Sequence, residues 1–563
     1  MSNDQLDQAA TPPRVSAPSI PALKVRGTLA VASIAVMIAQ IANALPGSLN
    51  GVFQQTFNTV GSQLTWITAA FMIPVVVFEL TFGVLGDKFG HRKLVVGGSL
   101  LVVLGSIVCA IAPQVEVMWI GSAINGLGAG AIFPASLALV AAVTHNPRDR
   151  ARGIALWAGF LSAGAAISPL LGGVAAGFGS WRGAYGVVAV LGVLTVFLTL
   201  WLAVEYRSPE GRKLDPWGQI TFAAGLILVL FGLVQGPEEG WLATNVVVAS
   251  VAGVLLLIAF VIIELHTESP LLQLSLFRNR AFAVSSIVAV VGMFAFLGSC
   301  FATSMWLGPV QHQNPVYLGL LFLLLQGPAF VLIPVISRLL AVVAARWLLT
   351  AGLALMGLGA LLASSLDVTN LSMLPFIAPT LLIGLGFALT LSPMTAIALN
   401  TVPRHLTGMA SATTNLLRDL GFVLGPVLVG AIALSSAGNQ LMGALQGADL
   451  PADEKGAALG IAEGGGPIAL NSIPEGVPGA AAHDLALQAL GSGFSLAFLV
   501  CALAAFAAAL LTLFGLRGVR DDRGSTVAYA DEQPTSVVIG PGRAGTEASA
   551  PSSGPRDRTD DRV

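Results

Sequence analysis

Runs of apolar residues long enough to cross a bilayer recur along almost the whole chain, and that recurrence leaves few folds open. They lie near 27–47, 64–86, 93–112, 117–141, 152–178 and 183–204, then near 215–236 and 245–265. A last group follows near 281–308, 316–340, 346–366, 372–400, 404–436 and 490–516, about fourteen in all. A helix of about 20 residues spans the hydrocarbon core, and in lipid only helices and closed barrels satisfy their own backbone groups. Runs of this length predict an all-α polytopic membrane protein. With 55% of 563 residues hydrophobic and 10% charged, a soluble domain has no way to cover the apolar surface.

The charges fall between the runs and are sorted by side. Lys24, Arg26, Arg92, Arg148, Arg150, Arg152, Arg207, Arg212, Lys213, Arg278, Arg280, Arg346, Arg404 and Arg517 sit on alternate connections. The other connections carry Glu116, Glu238, Glu239 and Asp367, with Arg182 and Lys455 as the exceptions. Basic loops mark the inner side, which predicts both termini in the cytoplasm and a multi-pass protein of the cell (cytoplasmic) membrane. Residues 1–26 and 517–563 read as disordered cytoplasmic tails, and no signal peptide precedes the first run. Residues 437–489, rich in Gly and Ala, read as a partly ordered extracytoplasmic loop.

Other chemistry is set aside on composition and spacing. The net charge of -2 is spread over loops and tails, so no basic face exists for nucleic acid. Cys109, Cys300 and Cys501 lie singly inside apolar runs and the histidines are scattered over loops, without metal-ligand spacing. No Gly-x-x-x-x-Gly-Lys-Ser/Thr occurs, so no phosphate-cradling loop points to ATP. No enzyme, cofactor or metal is expected. The partners expected are a small-molecule substrate, a proton or other coupling ion, and the lipid bilayer.

One connection stands apart: Gly83-Val-Leu-Gly-Asp-Lys-Phe-Gly-His-Arg-Lys93. Asp87 sits beside Lys88, His91, Arg92 and Lys93, while Gly83, Gly86 and Gly90 allow two helices and a tight turn to approach. A positive-inside anchor needs neither the aspartate nor the glycine spacing. The pattern resembles the signature loop between the second and third helices of the major facilitator superfamily. That resemblance implies two six-helix bundles rocking about a central cavity, here 27–205 and 281–516. The extra pair, within 206–280, is what the fourteen-helix drug:proton antiporter branch of multidrug efflux type adds. Pro334 to Arg346 echoes the hairpin weakly in the second half, with Ala341 where Asp87 stands in the first.

Further stretches resemble the same branch. Gly164-Ala-Ala-Ile-Ser-Pro-Leu-Leu-Gly-Gly173 is similar to the fifth-helix exporter motif, contributing Gly164, Pro169, Gly172 and Gly173, with Ser168 where glycine is usual. Small-residue packing around a proline kink explains the same residues. Leu214-Asp-Pro-Trp-Gly218, Pro270 to Phe277, and Gly408 to Gly421 match as well. Two departures fall on coupling positions. Met37 stands where the first helix usually carries an acid before Ala44-Leu45-Pro46, and Ser122-Ala-Ile-Asn-Gly126 lacks the usual fourth-helix arginine. Losing one of these charges strands the other, so their joint absence is coherent and implies that another group carries charge.

The candidates are the remaining intramembrane charges: Glu79 in the second run, and Arg418 with Asp419 in the thirteenth. Each costs about 2.5–3.5 kcal/mol at a helix centre unless paired or wetted. Arg418 and Asp419 point about 100° apart, so each is expected to need another partner, and Glu79 is expected to pair with Arg418 across the two halves. A purely structural ion pair is the alternative for Glu79. Gln40, Asn43, Asn125, Gln326 and Asn415 are candidates for lining a cavity. By resemblance, Asp87 is expected against the start of the thirteenth run, near Arg404 to Gly408. Together these features imply gradient-driven efflux of small amphipathic or hydrophobic compounds. A dedicated exporter of one metabolite or lipid, and a receptor or scaffold that lost coupling, are the other readings.

Overall fold

The computed structural model describes residues 21–144, 147–207, 215–267, 270–402 and 407–518. The expected tails lie outside these residues except at their inner ends, where the first helix already begins at Ala22. The first group comprises α1 (Ala22–Ala44), a short α2 (Asn50–Phe57), α3 (Gly61–Phe89), α4 (His91–Ile111), α5 (Val115–Val143), α6 (Pro147–Gly177) and α7 (Arg182–Leu202). A pair follows, α8 (Pro216–Glu239) and α9 (Thr244–His266). The second group runs through α10 (Arg280–Met305), α11 (Pro315–Val331), α12 (Ile333–Val342), α13 (Ala345–Ser364), α14 (Leu374–Asn400), α15 (Thr407–Gly447), α16 (Ala452–Asn471) and α17 (His483–Gly515). Among the described residues, 14 helical spans are long and apolar enough to cross a membrane. The protein is an all-helical multi-pass membrane protein.

Composition dictates which surfaces face lipid. Along α9, Val248, Val251, Leu255, Ile258, Ile262 and Leu265 recur at helical spacing and are each more than half exposed. A continuous aliphatic stripe of that length is stable only against acyl chains. The interior is packed by small residues and aromatics instead: Trp306, Phe296, Phe494 and Phe498 are fully buried, and Phe296 stacks on Phe387 at 3.7 Å between ring centroids.

Within the first group α4 packs on α5 and α7, and α1 on α5 and α6; within the second α10 packs on α15, and α13 on α14 and α17. The groups meet along two seams, α6 against α11 and α3 against α15, and α8 leans on both helices of the second seam. One end of the bundle carries Lys24, Arg92, Arg280, Arg346 and Arg517 and is called the basic end; the other is the far end.

Two elements differ from expectation. The tenth apolar run breaks at Leu332, because Pro334 in the first turn of α12 lacks an N–H and its ring crowds the preceding turn. The segment 437–489 is helical over most of its length. Helix α15 continues unbroken to Gly447, and α16 folds back beside it, bent at Gly466 (φ 68°) ahead of Pro467. Leu441, Leu445, Ala458, Leu470, Ala482 and Ala486 form a separate small core there. Each fully buried leucine contributes about 1.5–3 kcal/mol, which offsets the weak helix propensity of a Gly-rich segment. Glu454 accepts the Gly479 N–H at 2.6 Å, and Lys455 donates to the Gln446 carbonyl at 2.8 Å, pinning the first turn of α16.

Candidate functional site

The charged hairpin joins α3 to α4 through Gly90, whose φ of 110° admits no ordinary side chain; a Cβ there also meets the Glu205 carboxylate. Gly86 packs against the His91 ring, whereas no neighbour lies within 4 Å of a Cβ at Gly83. Asp87 Oδ1 lies 3.0 Å from His91 Nε2 in a hydrogen bond, and the His91 ring stacks on Tyr206. The Arg92 N–H donates to Glu205 at 3.2 Å, and its guanidinium donates to the Thr199 carbonyl at 3.3 Å and to that of Leu200. Arg92 therefore closes the C-terminus of α7, where free carbonyls and the helix dipole favour a cation. Lys93 is exposed. The expected seat of Asp87 involves Arg404, which lies outside the described residues; the partner that Asp87 shows is His91.

Helix α6 carries Gly164, Pro169, Gly172 and Gly173, with Gly164 and Gly172 facing the first group and Pro169 and Gly173 on the first seam. A Cβ at Gly164 meets the Met37 carbonyl of α1, and one at Gly172 lies 2.7 Å from Ser48 Oγ. Ser168 is fully buried and donates to the Ile41 carbonyl at 2.5 Å, so a hydroxyl is satisfied where a glycine is usual. On the other face Gly173 touches the Pro315 carbonyl, and a Cβ at Gly319 of α11 lies 2.7 Å from the Pro169 carbonyl. The motif brings backbones from the two groups together at the far end. Further toward the basic end the same seam widens into a cavity of about 540 Å³ lined by Ala163, Ala166 and Ile167 of α6, Leu324 and Pro328 of α11, and Leu385 of α14.

The second seam holds the charges. Glu79 of α3 is 6% exposed and Asp419 of α15 is 4% exposed. Arg418 Nε donates to Asp419 Oδ1 at 3.0 Å. Glu79 of α3 lies within electrostatic reach of both Asp419 and Arg418 of α15. Glu79 Oε2 and Asp419 Oδ2 are both buried without a hydrogen-bond partner. The expected Glu79–Arg418 ion pair is thus corrected. The flexible arginine stem turns its Nε back to the neighbouring residue on its own helix, so the ion pair that Arg418 makes is with Asp419.

A family model described as the Major Facilitator Superfamily matches residues 32–426. The chain belongs to that superfamily. This facilitator is 29% identical over 386 residues, 67% of its length and 70% of the relative's, to the multidrug resistance protein Stp of Mycobacterium tuberculosis. It is 31% identical over 401 residues to the drug efflux pump JefA of the same organism, covering 69% of this chain and 76% of that one. The tetracenomycin C resistance and export protein of Streptomyces glaucescens is 25% identical over 518 residues, 89% and 94% of the two chains. Among solved structures, a point mutant of the nucleoside transporter NupG superposes with a TM-score of 0.57 at 11% identity, over 87% of this chain and 100% of that one. An auto-inhibited POT family peptide transporter gives 0.56 at 16%, over 88% and 97%. The facilitator is accordingly a membrane transporter of small molecules.

Of the polar candidates, Asn125 is not at a seam. It is 1% exposed, accepts from Ser106 Oγ at 3.2 Å and donates to Cys109, so it ties α5 to α4 inside the first group. Ser122 likewise lies buried on α5, one turn before Asn125. Gln40 lies against Gly164, Asn43 and Asn415 are half-buried, Gln326 is buried, and Asn415 stands one turn before Asp419. Sequence reading missed the bonds that close the far end. Asn50 donates to Ser304 Oγ at 2.9 Å, Gln54 to Ser472 Oγ at 2.7 Å, and Asn471 to the Val310 carbonyl at 3.0 Å. A Cβ at Gly51 lies 2.8 Å from the Gly308 backbone. The Asn-Gly pair at 50–51, a dipeptide common in turns, is here a contact between helices.

Proposed function

We propose that this facilitator exports small hydrophobic and amphipathic compounds across the cell membrane, driven by the proton gradient, with the basic end and both termini in the cytoplasm. The observation that carries the reading is the pair of buried acids Glu79 and Asp419, contributed by opposite halves at their seam, with half-buried Arg418 beside them. With both carboxylates ionised the group bears a net negative charge, two acids against one arginine. With one proton shared between Glu79 Oε2 and Asp419 Oδ2 it is neutral, and both unbonded oxygens are satisfied. A seam that is dry only when protonated parts when the proton leaves. Proton release and separation of α3 from α15 are one event in this reading, and the substrate crosses on the same cycle.

This acid pair takes the place of the charges missing at Met37 and Ser122. The apolar cavity at the α6–α11 seam supports hydrophobic cargo, and the names of the relatives support drug-type compounds. Asp87 and the hairpin glycines serve the inner gate by fixing the α3–α4 turn, while Arg92 caps the end of α7. The test is substrate-dependent proton movement in proteoliposomes under an imposed pH gradient. A panel of lipophilic cations and neutral drugs is expected to give proton flux coupled to substrate flux. Substrate flux that moves no protons and ignores the gradient refutes the coupling, and no flux of any substrate refutes the exporter reading.

A further inference from the structure

At the far end, a second cavity of about 320 Å³ opens between the first turn of α3, the end of α8, the last third of α15 and the bend of α16. Its buried floor is Leu434 and Ile468, 7% and 1% exposed. Glu238, Trp241, Asn439 and Glu463 line it as exposed residues, and no Lys or Arg does. Glu238 is held in place: it accepts the Ser62 N–H at 3.0 Å and the Ser62 hydroxyl. Trp241 Nε1 donates to Ser435 Oγ at 3.2 Å, which fixes the indole across from α15. Gly464, Gly465 and Gly466 make one wall of bare backbone.

Carboxylates at a mouth, an indole beside them and an aliphatic floor together select a ligand that is cationic at one end and apolar at the other. We propose that this vestibule is an external subsite for amphipathic organic cations. It rests on the exporter reading for its place on a route, but not for its binding chemistry. The floor is the far end of the α3–α15 seam, since a Cβ at Gly61 meets Leu434 and lies 3.2 Å from Ile468. Gly61 and Leu434 are 18 and 15 residues from Glu79 and Asp419, about 27 and 22 Å along their helices at 1.5 Å per residue. Parting of the seam opens the floor of the vestibule, so cargo leaving the membrane enters it from below. The pair α8–α9 thereby gains a role in binding, since its end supplies the indole and one carboxylate.

The test uses the full chain in right-side-out vesicles with Asn439→Cys as a reporter. Cys109, Cys300 and Cys501 are buried, so a membrane-impermeant maleimide reads the introduced thiol alone. External tetraphenylphosphonium is expected to slow labelling, and its neutral relative triphenylphosphine oxide is not. Glu463→Gln and Trp241→Ala are each expected to raise the half-protecting concentration about tenfold, the equivalent of one cation–π or ion contact. The protection is expected to persist with Glu79→Gln, which separates this subsite from the coupling reading. Absence of labelling, absence of protection, equal protection by the neutral compound, or indifference to both substitutions overturns the proposal. Monodisperse elution of each variant confirms that it is folded.

Discussion

Replacing Glu79 by glutamine gives the sharpest test of the acid pair, because it copies the protonated carboxyl group in shape while removing its titration. Two unit charges about 4 Å apart at an effective dielectric near 20 interact by about 4 kcal/mol, roughly a thousandfold, which sets the upper scale for the bias that ionising both buried carboxylates places on the seam. The amide of Glu79→Gln donates to Asp419 Oδ2, which has no partner, and leaves the Arg418–Asp419 bond of 3.0 Å intact. The seam is then neutral at every pH. Stability is expected to change by no more than about 1–2 kcal/mol, and in the stabilising direction. Arg418→Ala, by contrast, strands two buried acids and is expected to destabilise by about 3–5 kcal/mol. In proteoliposomes Glu79→Gln is expected to abolish uphill transport driven by a pH gradient while retaining substrate exchange at zero gradient. Uphill transport by Glu79→Gln at the wild-type rate and with the wild-type pH profile refutes the reasoning, and melting in detergent distinguishes the two variants.

Three other outcomes follow from the contacts. Gly319→Val places a side chain against the Pro169 carbonyl and the Leu170 backbone; overpacking of about 1–3 kcal/mol is expected to disfavour the far-end-closed state about 5- to 150-fold, read by spin-label distances across α6 and α11. Asn471→Ala leaves the Pro309 and Val310 carbonyls without this donor, and a loss of about 1–3 kcal/mol is expected to raise labelling of far-end cysteines from outside. Arg92→Ala removes the cap on α7, and a loss of about 1–2 kcal/mol in thermal stability is expected with efflux per folded molecule preserved; a large drop in turnover at unchanged melting temperature counts against a capping role.

The sequence displays its membrane spans openly because length and hydropathy decide them, and solvent decides hydropathy. Each run of about 20 apolar residues has no other stable home than a helix in lipid. The hairpin turn was legible for a similar reason, since Gly90 is one of few residues able to hold a φ of 110°. Helix α16 was not legible. Its glycines at 456, 460 and 464–466 disfavour a helix locally, and the apolar contacts that outweigh them come from α15 and α17, which flank it, and not from the segment itself. The partner of Arg418 was hidden because two adjacent helical residues diverge at their Cβ atoms, while a long side chain can return. Asn125 misled as a polar residue in an apolar run, since such a residue bonds to whichever helix lies next to it, and here that is α4.

Helix α15 is a single rod of 41 residues, about 60 Å long at 1.5 Å per residue, with Pro426 inside it leaving the helix unbroken. Asp419 sits in its first third, and the cavity wall and small core lie beyond its middle. Such a rod works as a lever with its load near one end. A tilt of about 10° pivoting at Asp419 carries Gly447, 28 residues and about 42 Å away, through about 7 Å. That displacement is longer than any of the hydrogen bonds that close the far end. Under the proposed proton coupling, a tilt of that size breaks the bonds that tie α16 to its neighbours together, and its reach is set by the 28 residues of α15 that follow Asp419.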